Sequence, residues 1–403
     1  MLACYVEKKA EVLFGVKVAL DATPLTVQKS GIGEYAYQLA RHLALRYPQD
    51  EFLLVSNFPF PPVTGIPNLR SQYCTTNWIS GRWWLVGLPR ILEREGVSVF
   101  HGTDYSVPLL PLRPSVLTIH DLSSLRWSHL HERRTRRTAR RLPWMVRMAT
   151  HVVTHSVAVR EEIMQQFNLP EEKVSAIPLA PGPQFCAASD GDQSVLEKYD
   201  LHQPYVLFVG TLEPRKNLVT LVRAFASLPP ALLADTQLVF CGRWGWKNDD
   251  LEAEIARLRP AKSLRVTGYV PDADLPALYR GATVFAYPSL YEGFGLPPLE
   301  AMASRVPVIA STAAALTEVL GDAALRVDPL DVEAWRQSLQ SLLGDAQLRE
   351  TYARRGLLHV QKFSWDAAAE RSYAVYQKVL SEYCPGSWER VCRTMLDWVP
   401  TTR

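Results

Sequence analysis

Long apolar runs are missing from this chain. No stretch reaches the roughly 18 consecutive apolar residues that a membrane-spanning helix requires, although 47% of the 403 residues are hydrophobic. The opening MLACYVEKKAEVLFG has its charges in the wrong places for a signal peptide, so a cytoplasmic protein is expected. Cysteine pairs with metal-ligand or redox spacing are also missing. The six cysteines, Cys4, Cys74, Cys186, Cys241, Cys384 and Cys392, are scattered without CxxC spacing, and free thiols in a reducing compartment are expected. Low-complexity stretches are absent too. No nucleic-acid motif is present, and the basic run from Arg133 to Arg147 lacks interleaved aromatics, which argues against nucleic acid.

What is present is length and alternation. A chain of 403 residues is too long for one ordinary core, and about two domains are expected. The net charge of +3 is unevenly spread: residues 1–150 hold 19 Lys and Arg against 11 Asp and Glu, and the remainder holds 25 against 30. Much of the basic excess lies in Arg133, Arg134, Arg136, Arg137, Arg140, Arg141 and Arg147. Such a run is either a solvated helix face or a surface for anionic headgroups or a phosphate-bearing acceptor.

Short β-branched runs read as buried parallel strands: 16–22, 51–57, 97–102, 115–121 and 151–156 in the first half. The second half repeats the pattern at 205–210, 237–242, 264–269, 283–289, 306–311 and 325–328. Helical stretches such as Gly33–Leu45 and Leu85–Glu95 lie between strands, and such alternation implies doubly wound α/β sheets. Prolines, glycines and small polar residues interrupt it around 178–194, which marks a linker between two α/β domains flanking a cleft. The resulting division is an N-terminal extension (1–15), a first domain (16–185), a linker (186–203), a second domain (204–364), a helix able to return to the first domain (365–383) and a tail (384–403).

Gly31-Ile32-Gly33 with Ala36 formally matches a dinucleotide fingerprint. Its context excludes that reading, because the fingerprint's first glycine must sit at the strand end. Here the strand ends near Asp21 or Ala22, and the second strand closes on Ser56-Asn57 rather than on an acidic residue. What remains is a long loop delivering two glycines to a helix start, where bare amides can meet an anion; an ordinary loop-to-helix turn is the alternative.

The most specific stretch is YPSLYEGFGLPPLEAMASRVPVIAS, residues 287–311. Glu292 stands in a loop with Gly293, Phe294 and Gly295, Pro297-Pro298 marks a helix start, and Glu300 falls in its first turn. Carboxylates accept from hydroxyls while loop amides donate to oxygens, a combination that suits a sugar nucleotide. Dipole stabilisation is the plain account of Glu300, but it does not explain Glu292 or the glycines.

The Glu292-x7-Glu300 pattern resembles the signature of retaining GT-B glycosyltransferases of family 4. VLFVGTLEPRKNLVTLVRAF (206–225), GYVPDADLPALYRGA (268–282), GDAALRVDPLD (321–331), GIGEYAYQLARHL and VLTIHDLSSLRW resemble the same family, so the likeness covers roughly residues 16–380. It is nearest to the bacterial mannosyltransferase branch. The resemblance implies a GT-B fold, two Rossmann-like domains facing across a cleft, with the acceptor on the first and the nucleotide sugar on the second. It implies transfer of a hexose, mannose from GDP-mannose first, to a glycan or lipid-linked acceptor with retention of configuration. Rival readings are a non-catalytic nucleotide-sugar-binding protein and an inverting transferase or epimerase.

The roles implied by the resemblance are these. Glu300 accepts from the donor ribose. Glu292 faces the transferred sugar, with amides of Gly293, Phe294, Gly295 and Leu296 beside it. Arg215 and Lys216 hold the diphosphate, close to Gly210 and Thr211, and stabilise its growing charge. Many family members carry arginine where Thr211 stands, so the clamp leans on Arg215 and Lys216. His120, at a strand's C-terminal end, lies beside the donor sugar, whereas His101 is read as structural. Gly268-Tyr269-Val270 reads the base through its backbone, and Gly31 and Gly33 meet the diphosphate from the first domain. Trp83, Trp84 and Trp127 either line an acceptor surface or pack in the core. No Asp-x-Asp metal motif is read near the cleft segments, so no metal or other cofactor is expected. The segment 132–147 is a candidate docking face for an anionic membrane.

Overall fold

Each of the two expected domains is built on one all-parallel sheet. The computed structural model describes residues 15–27, 31–74, 82–110, 112–127, 133–186, 191–257 and 263–383. The expectations for most of the N-terminal extension, the tail, Cys4, Cys384 and Cys392 fall outside the described residues.

The first sheet contains β1 (Lys17–Asp21), β2 (Glu51–Ser56), β3 (Leu69–Tyr73), β4 (Val99–Gly102), β5 (Ser115–Thr118), β6 (His151–Thr154) and β7 (Val174–Ala176), in the order β3-β2-β1-β4-β5-β6-β7. The second contains β8 (Tyr205–Val209), β9 (Gln237–Cys241), β10 (Leu264–Gly268), β11 (Val284–Tyr287), β12 (Val308–Ser311) and β13 (Leu325–Val327), in the order β10-β9-β8-β11-β12-β13. Strand order reverses between β1 and β4 and again between β8 and β11. These are the places where an open α/β sheet leaves a crevice beyond its strand ends.

The apolar runs form strands because both their faces are covered. In the first sheet Val18, Leu20, Leu54 and Val99 pack one way, while Ala19, Leu53, Val55 and Phe100 pack the other way, under the helix Leu88–Arg94. Two strands were not read from the sequence. β3, LRSQY, is an edge strand whose only buried residue is Leu69, and β7 has three residues; neither carries an apolar run. The expected helix from Leu85 begins as a wide turn over Trp83–Gly87 and becomes α-helical only at Leu88.

The span 186–203 is more than a connector. It contains the helix Asp192–Lys198, which the second domain holds through Arg280–Asp192 (2.5 Å) and Lys198–Asp274 (2.6 Å) ion pairs. The helix Trp365–Glu382 lies on the helix Gly31–Arg46 of the first domain. There Tyr373 stacks on Tyr47 at 3.7 Å and donates to Asp50, and Tyr376 meets His101 at 2.6 Å. Among the described residues no helix is long and apolar enough to cross a membrane.

Candidate active site

β8 and β11 are neighbours at the reversal point of the second sheet, so the loops after them converge. The loop after β8 tightens into the single turn Pro214–Lys216, with proline at its start and Asn217 ending it in the left-handed conformation. Asn217 donates to the Pro329 carbonyl at 2.6 Å, which ties the turn to the loop after β13. Lys216 is thereby driven inward and is 6% exposed. Its ammonium donates to Glu292 at 2.5 Å and to the Tyr287 hydroxyl at 2.7 Å. Arg215 reaches Glu292 (3.1 Å), Glu213 (2.6 Å) and the Tyr291 carbonyl (2.7 Å).

Two cations and two carboxylates are therefore interleaved in a buried site. Burial alone pushes the Glu292 carboxyl up, but Lys216 and Arg215 outweigh it and bring it down to about 2. Lys216 is held below the ordinary lysine range by burial and by the Arg215 charge. Arg215 is held well above its ordinary value because Glu292, Asp121 and Glu213 overcome its desolvation. The cluster is close to neutral before any substrate arrives. An anion entering here would compete with Glu213 and Glu292 for the same donors.

The loop after β11 packs against the first domain through Tyr291 and Gly293. Gly295 has φ of 106°, and a Cβ there would lie 2.5 Å from a Leu316 methyl, so only glycine turns the chain into the helix Leu296–Ala303. That helix has no side-chain cap, and since Pro297 and Pro298 carry no N–H, the Leu296 and Leu299 amides are the donors of its first turn. Gly293 meets the other domain: a Cβ would sit 1.9 Å from the His120 carbonyl oxygen. Phe294 is buried, edge-on to His155 and Phe363. Glu300, one turn into the helix, accepts from the Tyr279 hydroxyl at 2.7 Å, which fixes one carboxylate oxygen. Val270 is buried just after β10. Thr211 is exposed beside Gly210.

On the first domain the structure gathers three histidines. His120 Nε2 lies 2.8 Å from the Thr103 carbonyl, and its Nδ1 lies 3.0 Å from His155 Nε2. Both ring nitrogens are thus engaged within the protein. His101 is fully buried between Tyr376 and Thr118, and burial, with His120 nearby, drops it to about 3. Gly31 opens its helix with nothing among the described residues within 4 Å of a notional Cβ, while Gly33 is buried in the first turn. Of the tryptophans, Trp83 is in the core, Trp84 lies edge-on to Phe100, and Trp127 packs on Tyr291 at the domain junction.

The family model "Glycosyltransferase Family 4" matches residues 29–180, and "Glycosyl transferases group 1" matches residues 195–358. O-antigen chain mannosyltransferase B of Escherichia coli is 33% identical over 382 residues, 90% of this chain and 100% of that protein. The chain is a GT-B glycosyltransferase of family 4. The fold of this glycosyltransferase is shared by WaaG, described as a glycosyltransferase involved in lipopolysaccharide biosynthesis, with a TM-score of 0.70 at 16% identity, covering 89% of this chain and 99% of that one. Anabaena Alr3699/HepE, solved with UDP-glucose, gives 0.68 at 18% identity over 91% of this chain and 100% of that one.

Several side chains of the glycosyltransferase's cleft escaped the sequence reading. Glu213, Tyr287 and Tyr291 flank the motifs and looked like ordinary strand or loop residues; Tyr279 looked like one apolar position of a helix face. Only a buried charge in need of partners would have pointed to them. One reading needs amending: Asp272-Ala273-Asp274 does have Asp-x-Asp spacing, directly after the Gly268–Val270 loop. In the structure Asp274 is taken by Lys198 and Tyr199, and no group of three metal-ligating side chains converges among the described residues.

Proposed function

We propose that this glycosyltransferase moves a hexose, mannose from GDP-mannose first, onto a glycan or lipid-linked acceptor in surface polysaccharide synthesis, with retention of anomeric configuration. One observation carries the reading: the Lys216–Glu292–Arg215 cluster lies beside the amide-rich Gly293–Leu296 loop at the reversal point of the second sheet. Arg215, Lys216 and the helix start supply donors for a departing diphosphate. Its charge grows as the sugar–phosphate bond breaks, so these groups favour the transition state over the ground state. Glu300, whose carboxylate Tyr279 holds, accepts from the ribose hydroxyls in this reading. The reaction runs without a metal in this reading, because the fixed cations take the place of a divalent ion. The mannosyltransferase relative supports the choice of sugar.

The test is transfer from GDP-mannose by purified protein, with the product's anomeric configuration read by NMR. Inversion would remove the retaining mechanism, and abolition of turnover by EDTA would remove metal independence. If UDP- or ADP-sugars alone raise the melting temperature, the donor assignment fails, since a tight ligand stabilises by mass action. The helix Arg133–Met148 supports a membrane-bound acceptor. Leu142, Met145 and Val146 point into the core, while Arg137, Arg140, Arg141, Trp144 and Arg147 are exposed. Flotation with anionic vesicles, lost at high salt, is the expected result.

A further inference from the structure

The turn between β6 and the helix Val157–Phe167 carries a histidine that the transfer chemistry above does not use. His155 is 2% exposed, and its Nε2 lies 3.0 Å from His120 Nδ1. Its neighbour Ser156 donates its hydroxyl proton to the Gly293 carbonyl at 2.8 Å. Gly293 in turn backs onto the His120 carbonyl, where a Cβ would come within 1.9 Å. One turn of the first domain therefore grips both sides of this domain contact, His120 by its ring and Gly293 by its main chain.

The number of protons available restricts how the two rings are arranged. His120 Nε2 faces the Thr103 carbonyl at 2.8 Å and His155 Nδ1 faces the Ile177 carbonyl at 3.3 Å. Carbonyls only accept, so these two contacts and the one between the rings call for three N–H groups, whereas two neutral imidazoles hold two. Burial keeps both rings neutral. It holds His155 well below the ordinary histidine range, helped by His120, and lowers His120 although Asp104 and Asp121 oppose this. The other near neighbours, Tyr35, Tyr105 and Phe294, contribute ring contacts. The two shorter contacts take the two protons. His120 then gives Nε2–H to Thr103 and receives His155 Nε2–H at Nδ1, and the 3.3 Å contact goes without.

The geometry points to His155 as a positioning residue for glycosyl transfer, acting through His120 to hold the His120 carbonyl and the Gly293 loop in register. The inference rests on the transferase reading for the role of that loop. Glutamine at 155 places an amide nitrogen near the position of the imidazole Nε2, so it donates to His120 without titrating. Leucine removes the donor and leaves a buried Nδ1 unpaired.

The experiment compares wild type, His155→Gln and His155→Leu by steady-state transfer from GDP-mannose, or from whichever nucleotide sugar a panel shows to be turned over. It adds melting temperatures and NMR of ¹⁵N-labelled histidine. His155→Leu is expected to lose between about 10- and 100-fold in kcat, with donor KM within about threefold, as for a slight misplacement of reacting groups. His155→Gln is expected to stay within about threefold of wild type. In wild type and His155→Gln the His120 resonances are expected to show protonated Nε2 and bare Nδ1. Undiminished kcat in His155→Leu, equal losses in both variants, or a wild-type His120 protonated at Nδ1 would each overturn the inference. Should no nucleotide sugar be turned over by wild type, the transferase reading fails, and the tautomer measurement still judges His155 by itself.

Discussion

Lys216 is the residue whose character changes most between sequence and structure. In the sequence it is one of a basic pair after a strand; in the structure its ammonium is enclosed by Glu292 and Tyr287. Lys216→Ala is expected to lower kcat by about 10²–10³, the usual loss for one transition-state donor, while donor KM moves little. Steady-state kinetics checks this, and a change confined to KM would contradict it. Glu300→Ala is expected to act the opposite way, raising donor KM. Tyr279→Phe should give a smaller rise, because it only frees the carboxylate that Tyr279 holds. Isothermal titration with the donor nucleotide separates the two. Asp21 is a residue the sequence reading passed over as a strand end. It is 1% exposed, with one carboxylate oxygen on Thr23 and the other without a partner. Burial pushes it up to about 7 against the Thr23 hydrogen bonds. A carboxyl raised on folding contributes stability that is complete below its unfolded value, here 3.8, and is lost as pH rises through its folded value. Asp21→Asn is accordingly expected to stabilise the protein more at pH 8 than at pH 5, with the two pH values differing on the order of 2–3 kcal/mol and the smallest gain below the unfolded value of 3.8. Calorimetry at the two pH values decides the matter.

At the scale of elements, the strands were legible because parallel strands covered on both faces must be apolar nearly throughout. The edge strands β3 and β7 lack that requirement, and their sequences show no run. The glycine loop after β11 was legible as a motif, but its reason was not. Gly293 is small because the first domain's main chain presses on it, a contact between residues 173 positions apart that no local pattern announces. Gly293→Ala puts a methyl group into the His120 carbonyl, where neither backbone can yield. It is expected to part the domains at this contact and to lower kcat at least tenfold without unfolding either sheet. Small-angle scattering should show the larger radius, and an unchanged profile with unchanged kcat would refute the account. The helix Trp365–Glu382 is a second case. Its return to the first domain was an expectation from the sequence, yet the partners of Tyr373 and Tyr376, namely Asp50, Tyr47 and His101, lie more than 270 residues away in the chain. Tyr373→Phe removes the hydrogen bond to Asp50 and should cost about 1.5–3 kcal/mol, as for bonds to charged groups.

For the whole molecule, the buried histidines set the acid limit of stability. Burial holds His101 at about 3 and His151 at about 4, the latter helped by Lys378 and Lys173. His120 and His155 are lowered as well. Unfolded histidines take up protons below about pH 6.5, where the folded ones do not, so stability is complete above that pH and falls as pH drops toward 4. Each such group contributes a slope of about 1.4 kcal/mol per pH unit in that window. Asp21 opposes the trend as a single group, and Glu292, held at about 2, adds to the loss below about pH 4.5. Denaturant titrations at pH 5 and 7 should therefore show a clear drop at pH 5, and equal stability would contradict the neutral burial of these rings. The chain's order of apolar and polar residues was enough to determine two α/β halves, all their strands but β3 and β7, and the glutamate motif, because periodicity and turn chemistry are local properties. The pairing of Lys216 with Glu292, the hold of Tyr279 on Glu300, the histidine cluster and the contact at Gly293 were decided only by tertiary structure. Each joins residues distant in sequence, and a charge reveals its partner only when folding has removed the water between them.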